Sequence, residues 1–220
     1  MNWTPGRIRF RNALIAVAPW AFSVGLRARF AFQTLPRWRH NGWESPLPNL
    51  LKHPILVRYA RLHQLTGLVE TGTYLGDTPW ELRKTFAEIH TIELSPILCR
   101  LAKERFKRLP HILVHEGDSA RTLPEVLKNL TRPTLFWLDG HFSGGITAQG
   151  EVSTPICDEV LAVAQQCPVR FVMLIDDARS FGSEVGYPSL DQFRERISDW
   201  LPEAAVSVEN DIIAIVPAGK

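Results

Sequence analysis

The sequence predicts an α/β protein: a doubly wound, mostly parallel seven-stranded sheet that ends in an antiparallel hairpin. Three observations carry this expectation. From Gly67 onward, short apolar runs alternate with segments of helical length, the pattern of a parallel sheet covered on both faces. Nearly every apolar run ends in an acid: Glu70, Glu93, Asp118 just past its strand, Asp139, and Asp176 with Asp177. The last two β-rich runs are separated by Asn210-Asp211, both of which tolerate positive φ, so the final strand must run antiparallel.

The elements follow in order. Gly67–Glu70 reads as the first strand. Asp77–Phe86 reads as a helix, with Asp77 or Thr78 as its cap and Pro79 in its first turn. Ile89–Glu93 is the second strand, and Ser95–Phe106 a helix capped by Ser95 with Pro96 at its first position. Ile112–His115 is the third strand and Thr122–Leu130 the next helix. Thr134–Leu138 is the fourth strand and runs into Asp139-Gly140-His141. A Gly-rich stretch from Phe142 to Gly150 follows and reads either as a substrate lid or as a surface loop. Thr154–Gln166 is a helix, Phe171–Ile175 a fully apolar fifth strand and Leu190–Trp200 a helix. Ala205–Glu209 and Ile212–Val216 close the chain as two strands.

A chain of 220 residues with 45% hydrophobic and 22% charged residues can build a full core. Disorder, collagen, coiled coil and a disulfide scaffold are excluded. No run of about 18 apolar residues occurs, so a transmembrane helix is not expected. Cys99, Cys157 and Cys167 form no C-x-x-C pattern and read as reduced thiols of a cytoplasmic protein.

The charge is lopsided. Met1–Thr66 holds nine arginines and one lysine against the single acid Glu44, a balance of +9 in a chain whose total is +2. Four of the seven tryptophans, Trp3, Trp20, Trp38 and Trp43, lie there too. Residues 1–64 are therefore expected to form a basic extension, and residues 65–220 the main domain. The apolar stretch Ala13–Leu26 is broken by Pro19 and flanked by Arg7, Arg9, Arg11, Arg27 and Arg29. It is too short to span a bilayer and lacks a signal-peptide cleavage site. Two readings stand: a cap that packs on the body or on a second subunit of a homo-oligomer, or a segment lying on the anionic inner surface of a membrane. No nucleic-acid module is present, so nucleic acid is not an expected partner.

In an open α/β sheet, ligands bind beyond the carboxyl ends of the strands. So many carboxylates at that edge call for cations, hydroxyls or amines. Val69–Gly76 is a strand–loop–helix passage of the form E-x-G-x-x-x-G. An acid before the first glycine would oppose a pyrophosphate, but suits a ligand carrying an ammonium group. Glu93, ending the second strand, is placed to hydrogen-bond a ribose diol.

Together these residues resemble the class I S-adenosylmethionine-dependent methyltransferases, over about Leu65 to Val216. The resemblance implies a Rossmann-like methyltransferase fold. By it, Glu70, Thr71, Gly72, Thr73, Tyr74, Gly76 and Thr78 would form the first cofactor motif. Glu93 would bind the ribose, Asp118 with Ser119 the adenine, and Asp139 would line the cofactor site.

Within that class the chain resembles the macrocin-type sugar O-methyltransferases, which are magnesium-dependent. Leu138-Asp139-Gly140-His141 and Ile175-Asp176-Asp177 carry this likeness. It implies that Asp139, Asp176 and Asp177 hold Mg²⁺ and that the acceptor is a hydroxyl of a sugar or related small molecule. His141 stands where that group has a second aspartate, and with Asp139 it would form the catalytic pair, an imidazole being a suitable base near neutral pH.

Two alternatives remain: a nicotinamide-dependent oxidoreductase, disfavoured by the missing G-x-G-x-x-G, and a non-catalytic cofactor-binding or membrane-associated module, disfavoured by the complete set of acids. The absence of a G-x-S-x-G elbow and of a P-loop lysine removes hydrolase and NTPase readings. Arg179 is expected to pair with the neighbouring aspartates or to meet an anionic acceptor. His40, His53, His63, His90, His111 and His115 show no ligand spacing and read as surface or satisfied histidines.

Overall fold

The structure, a computed structural model, describes residues 4–17, 30–40, 46–139 and 154–218. His141, expected to supply a base, and the Gly-rich stretch Phe142–Gly150, read as a lid or a surface loop, lie outside the described residues.

The apolar runs become β1 (Gly67–Thr71), β2 (Glu88–Glu93), β3 (Ile112–Glu116), β4 (Thr134–Leu138), β5 (Phe171–Ile175), β6 (Ala205–Glu209) and β7 (Ile212–Val216). They form one seven-stranded sheet in the order β3-β2-β1-β4-β5-β7-β6. β1 to β5 are parallel to one another, and β7 runs antiparallel to both β5 and β6. The hairpin turns at Asn210 (φ 53°) and Asp211 (φ 65°), the two left-handed positions that the sequence reading required.

The helices are α1 (Pro5–Val17), α2 (Leu35–His40), α3 (Asn49–Leu62), α4 (Asp77–Leu82), α5 (Pro96–Phe106), α6 (Ser119–Leu127), α7 (Ile156–Gln166) and α8 (Leu190–Trp200). Strand residues alternate between two cores. Val69, Phe136, Leu138, Met173 and Ile175 face one way and pack with Leu123 of α6, Val160 of α7 and Phe193 of α8. Leu68, Leu135, Trp137, Val172 and Leu174 face the other way and pack with Leu56 and Ala60 of α3, Leu82 of α4 and Phe106 of α5. The basic N-terminal third thus supplies α3 to the main core. It also supplies α1, whose Ile8 packs with Leu75, Leu98 and Leu101.

α4, α6 and α7 differ from expectation in their bounds; α6 ends at Leu127, not Leu130, and α7 starts at Ile156, not Thr154. The helix after β1 ends at Leu82, not Phe86, and its N-cap is Gly76 (φ 72°) with no side-chain cap bond. Neither proposed cap is used as one. The Asp77 carboxylate is held by Arg11 and by Arg105, the latter at 3.1 Å. The helix after β3 begins at Ser119, not Thr122, because the Asp118 carboxylate accepts from Ala120 N at 2.9 Å and starts the helix itself.

Candidate active site

β1 lies between β2 and β4, and the helices that follow β1 and β4 leave on opposite faces. This is the switch point of the sheet, where a crevice opens beyond the carboxyl ends. Side chains from both sides of that point define the candidate site.

On the β1 side, Glu70 is buried, and Thr91 Oγ1 donates to its Oε2 at 2.5 Å. The Thr91 and Thr73 hydroxyls lie 2.6 Å apart. Burial pushes the Glu70 pKa up to about 8, against hydrogen bonds from Thr91 and Thr78 that favour the charged form. Burial thus favours the protonated form of Glu70 in the absence of a ligand. Thr71 points to the other face and donates to Glu159 Oε2 at 3.4 Å. The loop then reverses through left-handed backbone at Gly72 (φ 87°), Tyr74 (φ 49°) and Gly76 (φ 72°). At Gly76 a Cβ would stand 2.8 Å from the Phe106 ring, so the position admits only glycine without displacement.

Glu93 holds that loop. Its Oε2 accepts from Tyr74 N at 2.7 Å and its Oε1 from Ser95 N at 2.8 Å, tying the loop to the start of α5. Tyr74 itself is exposed, at the rim of the crevice. Asp118 and Ser119 sit at the start of α6, with one Asp118 oxygen engaged as the helix cap.

On the other side, Asp139 follows β4, and Asp176 and Asp177 follow β5. Pairing of Leu138 with Ile175 sets these acids side by side, and Asp176 N donates to Leu138 O at 3.0 Å. The three carboxylates each offer an oxygen within 4.8 Å of the others. Asp177 has φ 58°, which breaks the strand alternation and lets two consecutive aspartates serve one centre. Arg179 takes the first of its two expected roles: Nη1 donates to Asp177 Oδ1 at 2.6 Å and also bonds the Asp211 carboxylate.

Two further members of the site were not anticipated from the sequence. Lys52, on α3, buries its ammonium against Asp176 Oδ2, 5.9 Å from the centre of the Trp137 ring. Burial disfavours its charge, but Asp176, Asp139 and Asp177 more than offset that, and its pKa stands above that of an ordinary lysine. Burial, and then the Asp139 charge, push Asp176 upward in turn. The signal in the sequence was slight: Lys52 is the single lysine among the ten bases of Met1–Thr66.

The second is Glu159, in the first turn of α7 and 1% exposed. Burial pushes its pKa up to about 7. Its Oε1 and the Oδ1 of Asp176 are both buried and without a hydrogen-bond partner among the described residues. Both residues line a small, partly open cleft, together with Asp139, Thr154 and Tyr187. In sequence, Asp158-Glu159 looks like the ordinary acidic first turn of a helix.

A gathered set of hard carboxylate oxygens, one of them buried and unpartnered, suits a divalent cation such as Mg²⁺. The glycine-shaped loop beside buried acids suits a ligand with hydroxyl and ammonium groups. Among the other histidines, His90 Nδ1 and His115 Nε2 lie 3.0 Å apart and the rings stack at 5.2 Å. The cysteines form no disulfide, Cys99 is buried, Cys157 and Cys167 are half-buried, and Cys167 Sγ donates to Val169 O at 3.4 Å. Among the described residues no helix is long and apolar enough to cross a membrane.

No protein-family model and no curated protein sequence matches the chain. Solved structures do match its fold. Methyltransferase PaMTH1 of Podospora anserina, bound to S-adenosylhomocysteine, superposes with TM-score 0.55 at 19% identity, over 84% of this chain and 87% of its own. The O-methyltransferase TomG of Streptomyces achromogenes, in complex with S-adenosylmethionine, gives TM-score 0.54 at 16% identity, over 89% and 96%. An O-methyltransferase of Bacillus cereus, in complex with S-adenosylhomocysteine, gives 0.55 at 15% identity, over 83% and 88%. The seven-stranded sheet with its reversed final strand is common ground, and the chain has the Rossmann-like fold of these methyltransferases.

Proposed function

We propose that the chain is an S-adenosylmethionine-dependent methyltransferase acting on a hydroxyl of a small molecule, a sugar or a related compound, with Mg²⁺ held by Asp139, Asp176 and Asp177. The observation that carries this reading is the convergence at one switch point of the Glu70–Gly76 loop with the three aspartates. S-adenosylmethionine supplies the electrophilic methyl group. Mg²⁺ at the aspartates would bind the acceptor oxygen and lower its pKa.

The protein's own groups do the rest. Glu70, with Thr71, Gly72, Thr73, Tyr74, Gly76 and Thr78, shapes the cradle for the amino-acid end of the cofactor. Each Glu93 oxygen keeps a lone pair beyond its backbone bond and is positioned for a ribose hydroxyl. Asp118 and Ser119 would hold the adenine, and Asp139 would line the cofactor site. His141 takes the acceptor proton. The transfer is an in-line displacement, so orientation and deprotonation of the acceptor supply much of the rate.

The test is calorimetry with S-adenosylmethionine and NADH, followed by methyl transfer to a panel of sugars and glycosides with and without chelator. Micromolar binding of S-adenosylmethionine, none of NADH, and transfer that stops in chelator are expected. Asp177→Asn should abolish transfer and leave cofactor affinity within about twofold, because uniform binding and transition-state contacts separate in this way. No binding of S-adenosylmethionine overturns the reading, and full activity in chelator removes the metal from it.

A further inference from the structure

The acidic trio already contains a cation. Lys52 reaches it from α3, 124 residues away in sequence from Asp176, and only 10% of its side chain is exposed. Its placement follows from helix geometry: Lys52, Leu56 and Ala60 lie at i, i+4 and i+8 on one face. Leu56 and Ala60 are buried in the core with Leu135 and Trp137, which fixes that face against the sheet. The ammonium then emerges where β4 and β5 end.

A buried ammonium and a divalent ion make the same demand on Asp176. Three carboxylates packed this closely repel one another unless a cation is present, and Lys52 meets that need from within the chain. A divalent ion drawn in by the same carboxylates would face the ammonium at close range, where like charges repel. Asp176 lines the cleft, and its Oδ1 is buried and unpartnered among the described residues, so it is free to take an ion once Oδ2 gives up the ammonium. Arg179 is differently placed: it divides its charge between Asp177 and Asp211 and is partly exposed.

We infer that Lys52 and a divalent cation are alternative occupants of the Asp139–Asp176–Asp177 centre, so that metal binding expels the ammonium and loosens α3 from the sheet edge. This rests on the metal reading proposed above. Lys52 keeps the acids neutralised when metal is scarce, and it sets the metal concentration at which the site fills. The N-terminal helix and the metal centre are thereby coupled, and each must weaken the other.

The experiment uses Mn²⁺ as the probe and the full chain as wild type, Lys52→Gln, Lys52→Met and Asp176→Asn. Electron paramagnetic resonance of free Mn²⁺ gives affinity, and hydrogen exchange of Asn49–Leu62 gives the state of α3. Both Lys52 variants should bind Mn²⁺ about 10-fold or more tightly than wild type, within the usual range of coupling between competing ligands, and Asp176→Asn should lose binding. Mn²⁺ should speed exchange in α3 of the wild type. If wild type binds Mn²⁺ and the Lys52 variants bind no better, ammonium and metal coexist, and the inference falls while the metal reading stands. If none of the four proteins binds Mn²⁺, the metal reading falls and takes the inference with it. Should both Lys52 variants fail to fold, exchange in the wild type decides: α3 protection unchanged at saturating Mn²⁺ overturns the inference.

Discussion

Glu93 carries two duties that differ in what they leave behind when the side chain is removed. In a ribose-binding role its loss weakens the cofactor alone. In the structure its two oxygens also accept from Tyr74 N and Ser95 N, and Tyr74 has a left-handed backbone that needs such support. Hydrogen bonds to a charged acceptor contribute about 1.5–3 kcal/mol each, and an orphaned buried donor costs a similar amount. Glu93→Ala should therefore lower the stability of the cofactor-free protein by roughly 3 kcal/mol, and Glu93→Gln, which keeps one acceptor, by about half that. Urea unfolding without cofactor measures this. Wild-type stability in Glu93→Ala would reduce the residue to its cofactor role. In the proposed catalytic pair, His141→Ala should lower kcat by about 10²–10⁴, the usual range for a lost general base, and an unchanged rate removes that assignment.

At the scale of the element, the pairing of β1 with β2 sets Glu70 opposite Thr91 in a fully buried strand, and this fixes a pH dependence. The folded-state pKa of about 8 exceeds the unfolded value of 4.5, so between those limits the folded protein holds a proton that the unfolded chain has released. Stability then falls as pH rises through that window, by up to about 1.4 kcal/mol per unit. Glu159, raised to about 7, acts in the same direction up to that pH. His115, which burial lowers to about 4, acts oppositely, costing stability only as pH drops below about 6.5. Glu70→Gln should reduce the downward slope of urea-unfolding stability between pH 7 and 8, where Glu70 contributes most and Glu159 and Asp176, both raised to about 7, contribute less; an unchanged slope there refutes the raised Glu70 pKa. The strands were legible in the sequence because they are short apolar runs and all but β7 are closed by an acid. α1 and α3 were not: their bases are spread around the helix, and α3 contains Pro54, which reads as a break. The start of α6 was misplaced because Asp118 was assigned wholly to a ligand, although a helix cap needs the same carboxylate. Asp139, Asp176 and Asp177 were placed at one edge by the strand pattern, and the resemblance to magnesium-dependent sugar O-methyltransferases grouped them. Lys52 and Glu159 could not, because their place in the site depends on contacts with distant elements.

Over the whole molecule, the basic third divides its charges between two directions. Arg11 turns inward: it is buried, bonds the Asp77 carboxylate and donates to Leu75 O at 3.3 Å, clamping the loop that follows β1. Its neighbours on α1 turn outward, with Phe10 68% exposed and the Arg9 side chain 59% exposed, and Phe32 is 82% exposed beyond the helix. An aromatic ring between arginines, on a segment of net charge +9, suits the headgroup region of an anionic bilayer, where each basic residue contributes about 1 kcal/mol. The remainder of the chain is net acidic, so such a surface would bind it in one orientation, with the basic third toward lipid. The full-length protein should sediment with phosphatidylserine-containing vesicles at low salt and be released as ionic strength approaches about 0.5 M, where the Debye length has shrunk to a few ångströms. Phe10→Ser should weaken pelleting at every salt concentration, because it removes buried apolar area. Arg9→Glu should weaken it chiefly at low salt, because it removes a screened attraction. Ile8, Arg11 and Leu56 face the core and are left untouched; Arg9 also pairs with the exposed Glu104 of α5 at 3.6 Å, so circular dichroism of Arg9→Glu checks that the fold is retained. Equal recovery with neutral phosphatidylcholine vesicles, or none with either lipid, rules out a membrane role for this face.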